Sequence, residues 1–443
     1  MKSVFKTFIR VLTAAIPIKK ARKRIRRRLS DFIDLRWICS QTPKIHARYS
    51  RHEVRCREKM SHGEKIRVCF LICDAAMFSA ESVYLEMLKD PRYEPFLAVA
   101  PRITRGEKFL RETLDKTVDT LSKRYGSVLK LYDPIMRRKI PLRGMADLIF
   151  TTIVYEEQTF REYTTGPLSE FALVACISYG YSGQLLADTR KMIFTQEFAF
   201  FWKLFVPNRA TLELWSEKNP LLKKNLALGG YSKMDRLAAI PRKERKRKKI
   251  LLCPHHSLMR DDSGGVQLSN FLKYAKFFLS LPKMFPEIDF VFRPHPLLFP
   301  RLETDTWWGV ERTAKYRMEM ESMPNVEFQS GGDYFETFAD SDAMIHDCGS
   351  FFAEYFYTGM PQCYLLEDAT SVDREFTDFG KALHKHTFHA FSEEEIVNFI
   401  KDTVIASNDP GREARESFAQ NEICTFHPHA ALEVLRQLEG WLS

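Results

Sequence analysis

No apolar run in this 443-residue chain is long enough to cross a bilayer. The longest near the start, Val11 to Ile18, falls well short of the roughly 20 residues a spanning helix needs. A secretory signal is not expected either, because the basic cluster follows that apolar stretch and no small-residue cleavage site appears. Zinc-ligand spacing is missing too. The nine cysteines, Cys39, Cys56, Cys69, Cys73, Cys176, Cys253, Cys348, Cys363 and Cys424, are scattered, and Cys69 and Cys73 lack a second pair. Several sit inside strand-like apolar runs, where a free cysteine behaves as a small hydrophobe, which suits a reducing compartment. Repeats at solenoid or propeller periods are absent, so a stacked array is excluded.

What is present is a globular composition, 45% hydrophobic and 28% charged, with length for two full domains. The net charge of +10 is uneven. Residues 1–60 hold 18 Lys and Arg against 4 Asp and Glu, and the remainder holds 49 against 53. The basic character therefore belongs to the N-terminal arm. There Val4, Phe5, Phe8, Ile9, Val11, Leu12, Ala15 and Ile16 share a helical face, and Pro17 ends or kinks the helix. The cluster Arg22, Lys23, Arg24, Arg26, Arg27 and Arg28 follows. An apolar stripe beside a polybasic segment predicts an arm over 1–60 that lies on an anionic membrane surface. A helix docked on the protein's own surface is the plainer reading. A nucleic-acid tail is not favoured, since no aromatic residues interleave with the basic ones.

The rest reads as α/β. Apolar runs at Ile66 to Cys73, Pro95 to Ala100, Val128 to Tyr132, Ala146 to Thr151, Leu173 to Ser178 and Leu204 to Pro207 predict buried parallel strands, separated by helices, over 64–235. The charged stretch at 236–249 reads as a solvated linker. Beyond it, over 250–443, strands are expected at Ile250 to Cys253, Ile288 to Phe292, Val326 to Phe328, Ala343 to His346 and Gln362 to Leu366. A helix from Leu268 should stop at Pro282, and Ala430 to Leu442 forms a terminal helix. Two such domains facing a cleft would bind their ligand at the carboxyl ends of the strands.

Three strand ends carry candidate chemistry. Arg293-Pro294-His295-Pro296 leaves its strand in a rigid, non-helical path, so His295 is held at the sheet edge, where an imidazole can stabilise charge developing on a leaving phosphate. Arg293 offers a planar fork for phosphate oxygens. Asp347-Cys348-Gly349-Ser350 joins a strand to a helix; Gly349 permits the turn, Ser350 is expected as the cap, and the amides behind it favour an anion. Pro254-His255-His256-Ser257 ends another strand, and alternation along a strand would let only one of His255 and His256 enter the cleft. Arg260, Asp261 and Asp262 do not complete a metal cluster there. In the first domain, Tyr179-Gly180-Tyr181-Ser182-Gly183 is a glycine-rich strand end, and Gly229-Gly230 fits a turn into the crossover.

Over residues 226–370 these segments resemble the CDP-glycerol glycerophosphotransferases, which make teichoic-acid-like wall and capsule polymers. Gly230-Tyr231-Ser232-Lys233-Met234-Asp235 is similar to that family's Gly-x-Pro-Arg-x-Asp. His295-Pro296 matches its strand ending in His-Pro. Ser341-Asp342-Ala343-Met344-Ile345-His346-Asp347-Cys348-Gly349-Ser350 is similar to its Ser-Asp-x-x-Ile-x-Asp-Tyr-Ser-Ser, and Cys363 to Asp368 fits its next strand. In place of the family's Trp-His-Gly-Thr-Pro stands Ile177-Ser178-Tyr179-Gly180, so Tyr179 occupies the position of the proposed catalytic base. Tyrosine ordinarily titrates near 10, too high for a base at neutral pH.

The resemblance implies a GT-B-like fold of two Rossmann-like domains and no obligatory metal or cofactor. It implies a peripheral enzyme on the cytoplasmic face of the cell membrane, moving a polyol phosphate from a CDP-linked donor to the hydroxyl of a lipid-linked or polymeric acceptor, with release of CMP. His295, Tyr179 and His256 are then the catalytic candidates. Arg293, His255, Asp347, Gly349 and Ser350 are the donor-binding ones, and Phe5, Phe8 and the basic cluster meet the membrane. A GT-B glycosyltransferase using a nucleotide sugar shares these features. A non-catalytic scaffold of the same fold is the reading from another class, supported by the missing first-domain histidine.

Overall fold

The computed structural model describes residues 7, 9, 11, 13–14, 19–153, 155–181, 184–186, 197–259 and 266–442. Phe5, Phe8, Ser182, Gly183, Arg260, Asp261 and Asp262 lie outside the described residues, as do the side chains of Lys23, Arg24 and Arg27. The chain divides into two compact units. One comprises Met1–Tyr179, Arg190–Lys233 and His429–Ser443, and the other Gly180–Thr189 and Met234–Pro428.

The first unit is built on a seven-stranded sheet of β1 (Ile66–Ile72), β2 (Tyr93–Val99), β3 (Val128–Lys130), β4 (Leu148–Thr151), β5 (Leu173–Ile177), β6 (Lys203–Val206) and β7 (Leu226–Leu228). Their order is β3-β2-β1-β4-β5-β6-β7, and every pair is parallel. The central strands are apolar along their whole length because a parallel sheet is covered on both faces. Phe70 on β1 stacks on Phe150 of β4, with ring centroids 5.3 Å apart.

From Lys19 onward the arm is one helix, Lys19–Ser61. Its later part is core and not a surface appendage: Ile38, Ile45, Tyr49 and Cys56 recur on one face and are buried in the first unit. The Tyr49 hydroxyl donates to the Phe200 carbonyl at 2.7 Å, and the Lys59 ammonium lies 2.9 Å from the Asp147 carboxylate. The expected stripe on the first segment is divided where it is described, since Ile9 is buried and Val11 exposed. The last helix, Ala430–Leu442, also belongs to the first unit and not to the second domain into which the sequence reading placed it. Trp441 meets Trp202 edge-on at 5.6 Å.

The second unit carries six parallel strands, β8 (Lys249–Cys253), β9 (Asp289–Phe292), β10 (Val326–Phe328), β11 (Ala343–His346), β12 (Gln362–Leu365) and β13 (Phe388–Ala390), in the order β10-β9-β8-β11-β12-β13. Both sheets thus reverse their strand order beside their first strand, as a doubly wound dinucleotide-binding sheet does. The expected linker at 236–249 is fastened to this unit and is not merely solvated. Arg242 and Arg245 reach Asp342 at 2.5 and 2.9 Å, and Arg247 pairs with Asp289 at 2.6 Å. Pro282 does not end its helix, which runs Phe271–Met284. A proline this near the C-terminus removes a single internal hydrogen bond, and the buried face of Phe271, Tyr274, Phe278 and Leu281 holds the turn.

Candidate functional site

Strand register builds the site. Leu252 of β8 pairs with Phe292 of β9, and Cys253 pairs with His346 of β11. Counting on from the first pair sets His255 level with His295, about 4.8 Å away, the ordinary spacing of neighbouring strands. The ladder does continue: Arg293 N–H donates to the Leu252 carbonyl and His295 N–H to the Pro254 carbonyl, both at 2.9 Å. The rings of His255 and His295 lie 5.1 Å apart, and His256 stacks on His295 at 4.1 Å with 25° between planes.

The structure therefore brings both His255 and His256 to one cluster, against the expectation that only one could enter. The reason is that β8 ends at Cys253, so strand alternation no longer applies at 255 and 256. Nearest ring nitrogens of the three histidines all lie within 4.8 Å of one another. All three rings titrate below the ordinary histidine value: His255 far below it, His256 at about 3 and His295 at about 4. Burial is the first cause, and the neighbouring Arg301 guanidinium adds to it. At neutral pH the cluster is uncharged.

Hydrogen bonds fix part of the proton placement. Leu297 N–H donates to His295 Nδ1 at 3.1 Å, so a neutral His295 carries its proton on Nε2 and offers an N–H. That suits an anionic oxygen better than a metal, which would need the Nε2 lone pair. His255 Nδ1 lies 2.7 Å from the Ser257 hydroxyl. His256 Nδ1 is buried without a hydrogen-bond partner among the described residues, a state that buried polar atoms seldom keep without a ligand.

Asp347 supports the cluster from beneath. It is fully buried; one carboxylate oxygen accepts the His255 N–H at 2.5 Å and the other accepts the Asn270 N–H at 2.6 Å. Burial pushes its carboxyl up to about 7, opposed by those two hydrogen bonds. It orients the histidine loop and, being fully buried, presents no oxygen to a ribose. Arg293 is similarly engaged. Its guanidinium donates to Gln329 at 2.6 Å and to the Gly332 carbonyl at 2.5 Å, so the fork expected to hold phosphate instead ties down the 329–333 loop.

Gly349, not Ser350, takes the cap position; Ser350 is the first helical residue, exposed, and no side chain caps that helix. Gly349 sits close to its neighbours: a Cβ there would meet Leu185 Cδ1 at 3.2 Å, so that side chain would have to give way by a few tenths of an ångström. Tyr179 follows β5 in the other unit, with the Lys233 ammonium 5.4 Å from its ring centre. Arg22, Arg26 and Arg28 lie on the long helix.

Sequence reasoning missed Asn270, Arg301 and a small open hollow lined by Gln267, Asn270, Leu366, Glu367 and Ser371 at the end of β12. Asn270 joins this hollow to the histidines through Asp347. No motif announces it, since a lone Asn before a helix is an ordinary start.

No family model matches the sequence, nor does any curated protein. Solved structures do match. The wall teichoic acid polymerase TagF, in a histidine-to-asparagine variant, superposes with a TM-score of 0.57 at 15% identity, over 88% of this chain and 97% of that one. The fold is GT-B. A UDP-GlcNAc 2-epimerase from Neisseria meningitidis bound to UDP-GlcNAc gives 0.53 at 14% identity, over 85% of this chain and all of that one. A TagF variant soaked with CDPG gives 0.54 at 13%, over 88% and 97%. Likeness at this identity shows the fold alone.

Proposed function

We propose that the chain is a transferase that moves glycerol phosphate, or another polyol phosphate, from a CDP-linked donor to an acceptor hydroxyl. The observation that carries this reading is the cluster of three neutral imidazoles at the carboxyl ends of β8 and β9, beside the hollow at β12. The histidines take the diphosphate, and the nucleoside lies over the open strand ends beside them. The acceptor oxygen attacks the phosphorus distal to cytidine, the bond to the bridging oxygen breaks, and CMP leaves. His295 Nε2–H donates to the oxygen that gains charge, the kind of preorganised donor that phosphoryl transfer depends on. Tyr179 remains the candidate for the acceptor proton. The likeness to TagF and the motif resemblance over 226–370 support the donor class.

Attachment to a membrane surface is part of the proposal. Among the described residues no helix is long and apolar enough to span a bilayer. The early part of helix Lys19–Ser61 carries Ile25, Leu29 and Phe32 on one face, exposed by 40%, 39% and 56%. That face is opposite the buried stripe of Ile38, Ile45, Tyr49 and Cys56, since 100° per residue sets the two about half a turn apart. With Arg22, Arg28 and Arg36 beside it, the face fits an anionic headgroup layer.

A panel of CDP-polyols and nucleotide sugars, read by mass spectrometry of the released nucleotide, tests the reading. CMP from CDP-glycerol or CDP-ribitol supports it. Turnover of UDP- or GDP-sugars alone moves the chain to the second reading, a nucleotide-sugar enzyme, which the epimerase likeness favours. No turnover, with no thermal shift by any CDP compound, leaves a scaffold.

A further inference from the structure

Outside the strand-end chemistry, one feature of the first unit stands apart. Ile135 is 87% exposed and Met136 is 70% exposed, the two highest values for large apolar side chains among the described residues. They form the tip of a hairpin whose antiparallel strands are Tyr132–Asp133 and Arg138–Lys139. A floppy loop would let such side chains fold back, but this tip is braced. The Asp133 carboxylate accepts the Ile135 and Met136 amides at 2.9 and 3.0 Å. Arg111 donates to the Pro134 carbonyl at 2.9 Å. At the base, Tyr132 is buried, with its ring 5.2 Å from that of Phe160. Arg137 turns the chain at φ 51°, where a residue other than glycine is uncommon.

We infer that this tip is a wedge that seats the first unit on an anionic lipid surface. The charge around it fits. Asp133 is engaged by the tip's own amides, Lys139 pairs with Glu162 at 2.7 Å, and the exposed guanidiniums of Arg137 and Arg138 flank the apolar pair. Apolar side chains enter the boundary between headgroups and acyl chains, while guanidiniums hold the phosphates above it. A protein partner fits less well: a stable interface takes about 800 Å² from each side, and two side chains on a convex tip supply far less. A lipid surface needs no complementary shape.

The hairpin directly follows β3, at the carboxyl edge of the first sheet. Tyr179 follows β5 on that same edge, four strands away in the order β3-β2-β1-β4-β5, or about 19 Å at the usual strand spacing. A seated wedge would bring this edge to the lipid, where a lipid-linked acceptor would arrive. That last step rests on the proposed function; the wedge itself does not.

Cosedimentation of the full chain with phosphatidylcholine vesicles, with and without phosphatidylglycerol, tests it. Ile135→Ser with Met136→Ser should cut binding to the anionic vesicles roughly tenfold without moving the melting temperature. Arg137→Gln with Arg138→Gln should weaken binding only where phosphatidylglycerol is present. Hydrogen exchange at residues 133–138 should slow when vesicles bind the unaltered chain. Unchanged binding by the Ser variant, without vesicle protection of the tip, overturns the wedge. So does a concentration-dependent dimer that the Ser variant abolishes, which would make the tip a contact between copies. Tip-dependent binding without CDP-polyol turnover keeps the wedge and sinks the proposed function. Turnover with tip-independent binding does the reverse.

Discussion

The two sheets have one strand order and two kinds of edge. In the first, β1 leads into Asp74, whose carboxylate pairs with Arg102 at 3.0 Å just beyond β2, and β5 leads into Tyr179. In the second, the equivalent central strands lead into His255, His256 and His295, with Asp347 buried beneath. A shared order of the central strands therefore does not assign identical work. The second edge has withdrawn its ionisable groups from water and shifted them. The first keeps its ion pair partly exposed, where such a pair contributes little. Sites with perturbed groups are where ligand chemistry is expected.

The contrast can be broken by substitution. His295→Ala should lower CDP-donor turnover by about 100-fold or more, the ordinary weight of a positioned proton donor, with little change in melting temperature. An equal loss of stability would mean the ring is merely packing. Asp347→Ala comes next, at about 3 kcal/mol of stability, because two backbone N–H groups lose a buried acceptor; urea unfolding measures it.

The third expectation concerns pH. An unfolded histidine titrates near 6.5, while His256 and His295 are held at about 3 and about 4. Below pH 6.5 the unfolded chain thus binds more protons, and stability falls as pH drops toward 4. Asp347, raised to about 7, has the opposite sign; its contribution is complete below pH 3.8 and is lost as pH rises through 7. Stability should peak near pH 6.5. Unfolding free energies from urea titration at pH 5 should fall by about 1 kcal/mol for each clustered histidine, discounted for partial exposure, and replacing all three with Gln should lessen the acid limb, the rest of which belongs to His346 and His384, also held low by burial. Tyr179→Phe should cost turnover only a few-fold, since a phenol titrating near 10 is a poor base at neutral pH; a loss as large as that of His295→Ala would make Tyr179 the acceptor's base and erase the distinction. Gly349→Ala is the smallest, about 1 kcal/mol for crowding Leu185.

Much of the second unit was legible because a fully buried parallel strand writes itself as an apolar run, and Ile288 to Phe292 and Ala343 to His346 both became strands. Strands β7 and β13, three residues each at sheet edges, did not show, whereas the equally short edge strands β3 and β10 did. In the site, His295 was visible because its two prolines mark a stiff strand exit. The clustering of His256 was not, because it depends on where β8 stops. The fate of Arg293 was equally hidden: its partners, at 329 and 332, are dozens of residues away, and a guanidinium binds a carbonyl as readily as a phosphate.

The helix Lys19–Ser61 has a mechanical consequence. Its later part is fixed in the first unit's core, while the exposed apolar face around Ile25 lies 13 residues before Ile38, about 20 Å along the axis at 1.5 Å per residue. On the proposed membrane surface it would be a mast, not a leash. A leash lets a catalyst wander over a surface at varying heights, whereas a mast sets one height and one tilt. Any shortened chain that begins after Ile38 would lose that setting and tear the core open as well.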